Sequence, residues 1–174
     1  NVSFPRSTGN TPCFYNHFVT DREESFDQPG TPEEPKGHYI FDKPEPLWNF
    51  GHGKSYTTFD YVDCALSDTL LVASDTLKVS VTIKNTGRRD GKEVVQLYVR
   101  DKVSTVATPI QQLKAFQKVL IKPGESQCVE LSLPIAELAL YNAKMEEVVE
   151  PGDFEIQIGA ASDDIRFKKT ITIN

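Results

Sequence analysis

Carboxylates, imidazoles and thiols are the groups in this chain with chemistry to offer, and their spacing restricts it. The acids cluster as Glu23-Glu24, Glu33-Glu34, Glu146-Glu147 and Asp163-Asp164. Adjacent carboxylates repel, so they belong on a solvated surface unless an apolar pocket or a partner shifts their protonation. No pocket pattern surrounds these pairs. His17, His38 and His52 are the three histidines, all in an irregular N-terminal stretch. A metal site needs ligands fixed on a scaffold at characteristic spacing, so none is expected. Cys13, Cys64 and Cys128 are odd in number and fit no zinc or redox spacing. Their ordinary role is that of small apolar side chains, with one disulfide left open. Ser55, Ser74 and Ser162 lack a nucleophile elbow or a neighbouring base, and Arg88-Arg89 reads as part of a solvated turn. Gly51-x-Gly53 lacks the third glycine and the strand-to-helix setting of a dinucleotide fingerprint. No catalytic residue and no cofactor are therefore assigned.

The elements around these groups are organised by Leu47 to Tyr61. This stretch holds the only Trp, Trp48, followed by Phe50, His52 between two glycines, Tyr56, Phe59 and Tyr61. Glycine permits positive φ or close backbone approach. The stretch reads as an aromatic-anchored hinge entering a first strand. His52 has an ordinary role, a hydrogen bond that locks the hinge. Trp48, Phe50 and Tyr56 have two roles open to them, structural anchor or platform for the apolar face of a sugar ring.

Before the hinge, residues 1–46 form an arm. It holds seven of the eleven prolines, with eight acidic against four basic residues. Proline disfavours helix and central strand. Yet Phe4, Phe14, Tyr15, Phe18, Phe26, Tyr39, Ile40 and Phe41 are too many large apolar groups for a solvated tether. An extended arm lying on a surface is expected, anchored by Phe4, Phe14, Tyr15, Phe18 and Phe41.

After the hinge (47–57), residues 58–174 alternate with period two, the signature of strands with one buried face. Strands are expected at 58–66, 76–84, 93–101, 112–121, 127–133, 153–160 and 166–173, with shorter ones at 140–142 and 147–149. One helical turn is expected over 134–138. Leu77, Val79, Val81 and Ile83 face inward, as do Val95, Leu97 and Val99, then Val129, Leu131 and Leu133, then Phe154, Ile156, Ile158 and Ala160. The strand at 112–121 is less regular, built around Leu113, Phe116, Val119 and Ile121. The parity switch from Phe59 and Tyr61 to Val62, Cys64 and Leu66 predicts a bulge. About seven strands at this spacing predict an all-β fold, a seven-stranded immunoglobulin-like sandwich of fibronectin type III-like kind, preceded by the irregular arm.

With 174 residues the chain can bury a real core in one domain. A net charge of −6 argues against a broad nucleic-acid footprint. No apolar run approaches the roughly 20 residues of a membrane span. The start, Asn1 to Arg6, has no Met, no charged n-region and no apolar core, so no signal peptide is expected there and a piece of a longer protein is.

Three stretches carry a family resemblance. Pro46-Leu47 and Phe50-Gly51-His52-Gly53-x-Ser55-Tyr56-Thr57-Thr58-Phe59 resemble the junction before the C-terminal domain of family 3 glycoside hydrolases, the β-glucosidase and β-xylosidase group. Phe4-Pro5-Arg6 through Tyr15-Asn16-His17 is similar to the segment leaving that family's second catalytic domain. Asn85-Thr86-Gly87, Gly91-x-Glu93-Val94-Val95-Gln96-Leu97-Tyr98-Val99 and Glu150-Pro151-Gly152-Asp153-Phe154 are similar to its fibronectin type III-like domain. Lys54 departs from the pattern, where Leu is usual.

The resemblance implies a periplasmic or secreted parent that removes terminal β-linked glucose or xylose with retention, its two carboxyl groups on domains not in this chain. It implies that Phe4 to Phe41 clamp the catalytic domains of the same polypeptide, that Trp48, Phe50, His52, Tyr56 and Phe59 pack between domains, and that this chain alone is inactive. It also permits His52 to lie near the parent's active cleft. An arm without its natural surface can exchange between copies, giving a swapped dimer. The alternative reading is a carbohydrate-binding module. It needs exposed aromatics in a row, and among the strands only Tyr98 points outward by parity. A generic adhesion module would leave the ring-rich arm unexplained.

Overall fold

Alternation is cleanest at Thr76–Asn85, and there Leu77, Val79, Val81 and Ile83 are fully buried while Lys78 and Lys84 face water. β-Branched side chains suit this pleated, half-buried setting. In the computed structural model the described residues are 2–11, 13–18, 31–33 and 45–174. Phe41 lies outside them, as do Phe26, His38, Tyr39, Ile40 and the Glu23-Glu24 pair.

The strands are β1 (Phe59–Leu66), β2 (Leu70–Leu71), β3 (Thr76–Asn85), β4 (Gly91–Asp101), β5 (Gln112–Ile121), β6 (Ser126–Pro134), β7 (Leu140–Tyr141), β8 (Glu147–Val148), β9 (Gly152–Gly159) and β10 (Ile165–Ile173). A 3₁₀ turn, Ile135–Leu138, follows β6. A three-stranded sheet, β1-β3-β6, packs on a five-stranded sheet, β2-β10-β9-β4-β5, with β7-β8 as a separate hairpin. Inward residues from both sheets form one core, including Val79, Val81, Leu131, Val95, Leu97, Phe154, Ile156 and Ile171. Each such side chain contributes about 1.5–3 kcal/mol by leaving water. This is the fibronectin type III-like sandwich that the periodicity predicts.

β1 shifts register against β3 between Tyr61 and Asp63, so Val62 is the extra, bulged residue and lies exposed. The parity switch in the sequence marks it. A second bulge went unmarked. β5 shifts against β4 between the pairs Leu97↔Ala115 and Tyr98↔Leu113, leaving Lys114 unpaired. Ala115, not Phe116, therefore turns toward the core, and Phe116 is 66% exposed. Leu113 pairs with the outward Tyr98, so of the four apolar residues around which this strand is built only Val119 and Ile121 belong to the core. Ala160 is also not an inward strand residue: β9 ends at Gly159, and Ala160 opens the turn that bonds Asp164. The two-residue β2, parallel to β10, has no periodicity to announce it.

Candidate functional site

The outer face of the five-stranded sheet should be polar, yet its middle is buried. Gln96 and Tyr98 alternate with Val95, Leu97 and Val99 and so point away from the core, but both have almost no exposure. Residues from the arm and the hinge cover them. Tyr15 stacks on Phe50 with ring centroids 4.1 Å apart and meets Tyr98 edge-on at 5.9 Å. The Tyr98 hydroxyl donates to Gln96 Oε1 at 2.6 Å. Gln96 Nε2 in turn donates to the carbonyls of Ala160 and Gly51. A buried amide with both ends engaged fixes the hinge to the sheet. Tyr98 is therefore no exposed platform, which corrects its outward reading: parity placed it on the outer face, and a segment distant in sequence roofs it.

The hinge backbone is pinned at further points. Ser162 N–H donates to Phe50 O at 2.9 Å, and Asn49 Nδ2 donates to Asp163 Oδ2 at 2.7 Å. Gln111 Nε2 donates to Ser162 O at 3.0 Å. Gly51 has φ 84°, and a Cβ there would collide with the Gln96 amide. The glycine is required both for the left-handed backbone and for the close approach.

The arm contributes two strand-like contacts. Phe4 N–H donates to Trp48 O at 2.9 Å, and Leu47 N–H to Phe4 O at 2.8 Å. Their rings meet edge-on at 5.6 Å. Farther along, Leu113 N–H donates to the Tyr15 hydroxyl at 3.1 Å, and Ile110 N–H to His17 O at 2.8 Å. Phe14 and Phe18 remain about half exposed beside these contacts.

The expected site residues thus separate. Phe50 and Tyr15 lie together over Tyr98. Trp48, Phe4 and His52 form a second group, in which the His52 ring lies parallel to the Trp48 ring at 6.4 Å. His52 N–H closes a turn onto Asn49 O at 3.1 Å. Phe59 packs against the core from β1. Tyr56 stands apart, 90% exposed, and Lys54 is exposed as well.

Three members of the acidic pairs have structural partners. Asp163 holds Asn49, Asp164 pairs with Arg166 at 2.6 Å, and Glu146 accepts from Asn142. A depression of about 400 Å³ is lined by Arg100, Gln111, Gln157, Asp163 and Lys168, with Asp163 its one carboxylate. Among the described residues, no group of three or more His, Cys, Asp or Glu is placed to hold a metal ion, and no helix is long and apolar enough to cross a membrane.

Comparison with known proteins converges on one family. Residues 93–162 match the family model of the fibronectin type III-like domain. The periplasmic beta-glucosidase of Salmonella typhimurium is 38% identical over 92% of this chain, and a beta-xylosidase of Formosa agariphila is 40% identical over 95%. A crystal structure of beta-glucosidase from Listeria innocua in complex with isofagomine superposes with TM-score 0.84 at 36% identity, over 98% of this chain and 23% of that one. The chain belongs to the C-terminal, fibronectin type III-like part of the family 3 glycoside hydrolases. It spans about a fifth of the length of the curated relatives it matches.

Two polar clusters of this family 3 domain were not singled out by sequence reasoning. Asn85, fully buried at the end of β3, donates through Nδ2 to Ile121 O and Arg89 O, each at 2.8 Å. Its Oδ1 accepts from Gly87 N and from Thr57 Oγ1. All of its amide capacity is used. The turn-forming Asn85-Thr86-Gly87 was legible; the grip on β5 and on the hinge was not.

The second cluster crosses the sandwich. Tyr61 on β1 donates its hydroxyl to Glu93 on β4 at 3.0 Å, and Arg166 lies 5.7 Å over the Tyr61 ring. Burial pushes the Glu93 carboxyl above the usual glutamate range, against the opposing hydrogen bond from Tyr61. The Tyr61 hydroxyl is likewise pushed up, by burial first and then by Glu93. Glu93 shares the inward parity of Val95 and Leu97, and that was the signal available in sequence.

Proposed function

We propose that this chain is the non-catalytic C-terminal region of a family 3 glycosidase that removes terminal β-linked glucose or xylose, and that it stabilises the catalytic domains of the same polypeptide. In this reading residues 1–46 are the arm arriving from those domains, 47–57 the hinge, and 58–174 the sandwich. The observation that carries it is the covered outer sheet face. Tyr15, Phe50 and Gly51 are locked onto Gln96 and Tyr98, while Phe4, Phe14, Phe18 and Trp48 keep large exposed faces. One side of the arm and hinge is thus spent on the sandwich, and the other is left for a neighbour. Trp48, Phe50, His52, Tyr56 and Phe59 are the interdomain residues of this proposal; Phe4, Phe14, Tyr15, Phe18 and Phe41 are the arm anchors.

Glycoside hydrolysis needs two carboxyl groups flanking one bond, about 5–9.5 Å apart. Among the described residues, Asp164, Asp163, Glu93 and Glu146 are each engaged with a neighbour, Arg166, Asn49, Tyr61 and Asn142 respectively. The expected result is that the 174-residue chain shows no turnover of nitrophenyl β-glucosides or β-xylosides above a blank. Turnover that purifies with the chain would refute the reading. Burial of Tyr98 removes the strand aromatic on which the carbohydrate-binding alternative was read, and Phe116, exposed on β5, has no second ring beside it on that strand.

A further inference from the structure

We propose that the outward face of β5, built on Phe116 and Leu120, forms one docking surface with the hinge aromatics, and that its occupant is the rest of the same, longer polypeptide. The proposal rests on the reading above and adds to it a surface that the hinge and arm do not include.

Outer faces of a sandwich in water are polar. Most of this molecule obeys. β3 presents Lys78, Ser80, Thr82 and Lys84 outward, and β6 presents Cys128, Glu130 and Ser132. β9 and β10 present Glu155, Lys168 and Thr170. β5 does not. Because Lys114 is bulged, its outward residues are Phe116, Lys118 and Leu120, with Phe116 66% and Leu120 53% exposed. β5 is also the edge of the five-stranded sheet. An apolar edge strand left open is an aggregation hazard, normally blunted or covered.

Register places this face beside the hinge. Phe116 pairs with Gln96 on β4, and Gly51 sits directly on the Gln96 amide. Next along the hinge come His52 and Trp48, the latter 45% exposed and edge-on to Phe4. A strip interrupted by the exposed Lys118 therefore runs from Leu120 and Phe116 toward the hinge and Phe4. Large exposed apolar side chains grouped on one side of a molecule mark a contact site. The occupant follows from two facts. The chain spans about a fifth of its relatives' length, so a large remainder is available. The strip also begins at the hinge and arm, which deliver that remainder to this side of the sandwich. A second copy would instead oppose two chains of net charge −6.

The test compares the Phe116→Lys/Leu120→Lys variant with wild type in two settings, the 174-residue chain and the longer polypeptide that contains it. The readout is the rate of protease cleavage within the arm, which tracks how often the arm and its neighbour open. The expected result is roughly tenfold faster cleavage in the longer polypeptide and no change in the short chain. Equal rates in the longer polypeptide overturn the proposal. Faster cleavage in both settings also overturns it, because the residues would then act within the sandwich. So does a dimer of the short chain that the variant splits, because the occupant would be a second copy. Trp48→Ala in the longer polypeptide separates this surface from the hinge. If Trp48→Ala accelerates cleavage and the β5 variant does not, the β5 face fails and the hinge reading stands.

Discussion

Gly51 concentrates two constraints on one residue: a φ of 84° and a neighbour, the Gln96 amide, where a Cβ would lie. Gly51→Ala must either strain the backbone or push Gln96 from the Ala160 and Gly51 carbonyls. The expected cost is about 2–4 kcal/mol, from left-handed strain together with a lost buried hydrogen bond. Urea unfolding of the variant checks it, with m unchanged and the midpoint lowered. Glu93 makes a prediction of the opposite kind. Its carboxyl is raised in the folded state, chiefly by burial, so the folded chain holds the proton at pH values where the unfolded chain has released it. Stability from this group is therefore complete below the unfolded pKa and is lost as pH rises through the folded one. Glu93→Gln keeps an oxygen for the Tyr61 hydroxyl and removes the titration. The expected outcome is a variant whose thermal midpoint is flatter with pH just above the ordinary glutamate range, and no lower than wild type at neutral pH.

Among the elements, the turn after β3 is held by a side chain rather than by its own backbone. Asn85 bonds Ile121 at the end of β5, Arg89 and Gly87 within its own turn, and Thr57 in the hinge. Asn85→Asp preserves the shape and replaces two donors by an acceptor facing two carbonyls. It should cost at least about 2–3 kcal/mol, since buried carbonyls lose partners and a carboxylate loses water. Calorimetry of Asn85→Asp against Asn85→Ala separates repulsion from simple loss. If both melt as wild type does, the cluster is ornamental. The elements also show what period two can and cannot reveal. β3 was legible because four β-branched or Leu residues alternate with Lys, Ser and Thr. The Val62 bulge was legible because large residues sit on both sides of the switch. The Lys114 bulge was not, because the residue that turns inward is Ala115, whose small side chain is outweighed in the pattern by Phe116. β2 was illegible for a different reason: its pairing with β10 is set by tertiary contact, not by its own two residues.

For the whole molecule, strand parity fixes which face a residue occupies but not what lies over that face. Tyr98 was correctly oriented by its neighbours Leu97 and Val99, and its cover comes from Tyr15, far earlier in the chain. A pattern confined to one strand carries no trace of that. The described arm residues around Tyr15 are thus part of the sandwich's outer layer. Removal of the arm should have a limited, directional effect. Deleting residues 1–46 takes away the stacked Tyr15 ring, the acceptor of Leu113 N–H and the acceptor of Ile110 N–H. It leaves the two sheets and the core between them intact. The shortened chain should therefore still unfold in one cooperative step, at a stability lower by about 2–4 kcal/mol. Its Tyr98 ring should become accessible to a solvent quencher. Loss of cooperativity would mean that the arm belongs to the folding unit itself. An unchanged melting temperature would mean that the Tyr15 contacts contribute nothing and that Phe50 alone seals the face. Between these outcomes, a stable but uncovered sandwich is what the division of contacts requires, because the described arm residues contact the outer face and the hinge, and the core cluster contains none of them.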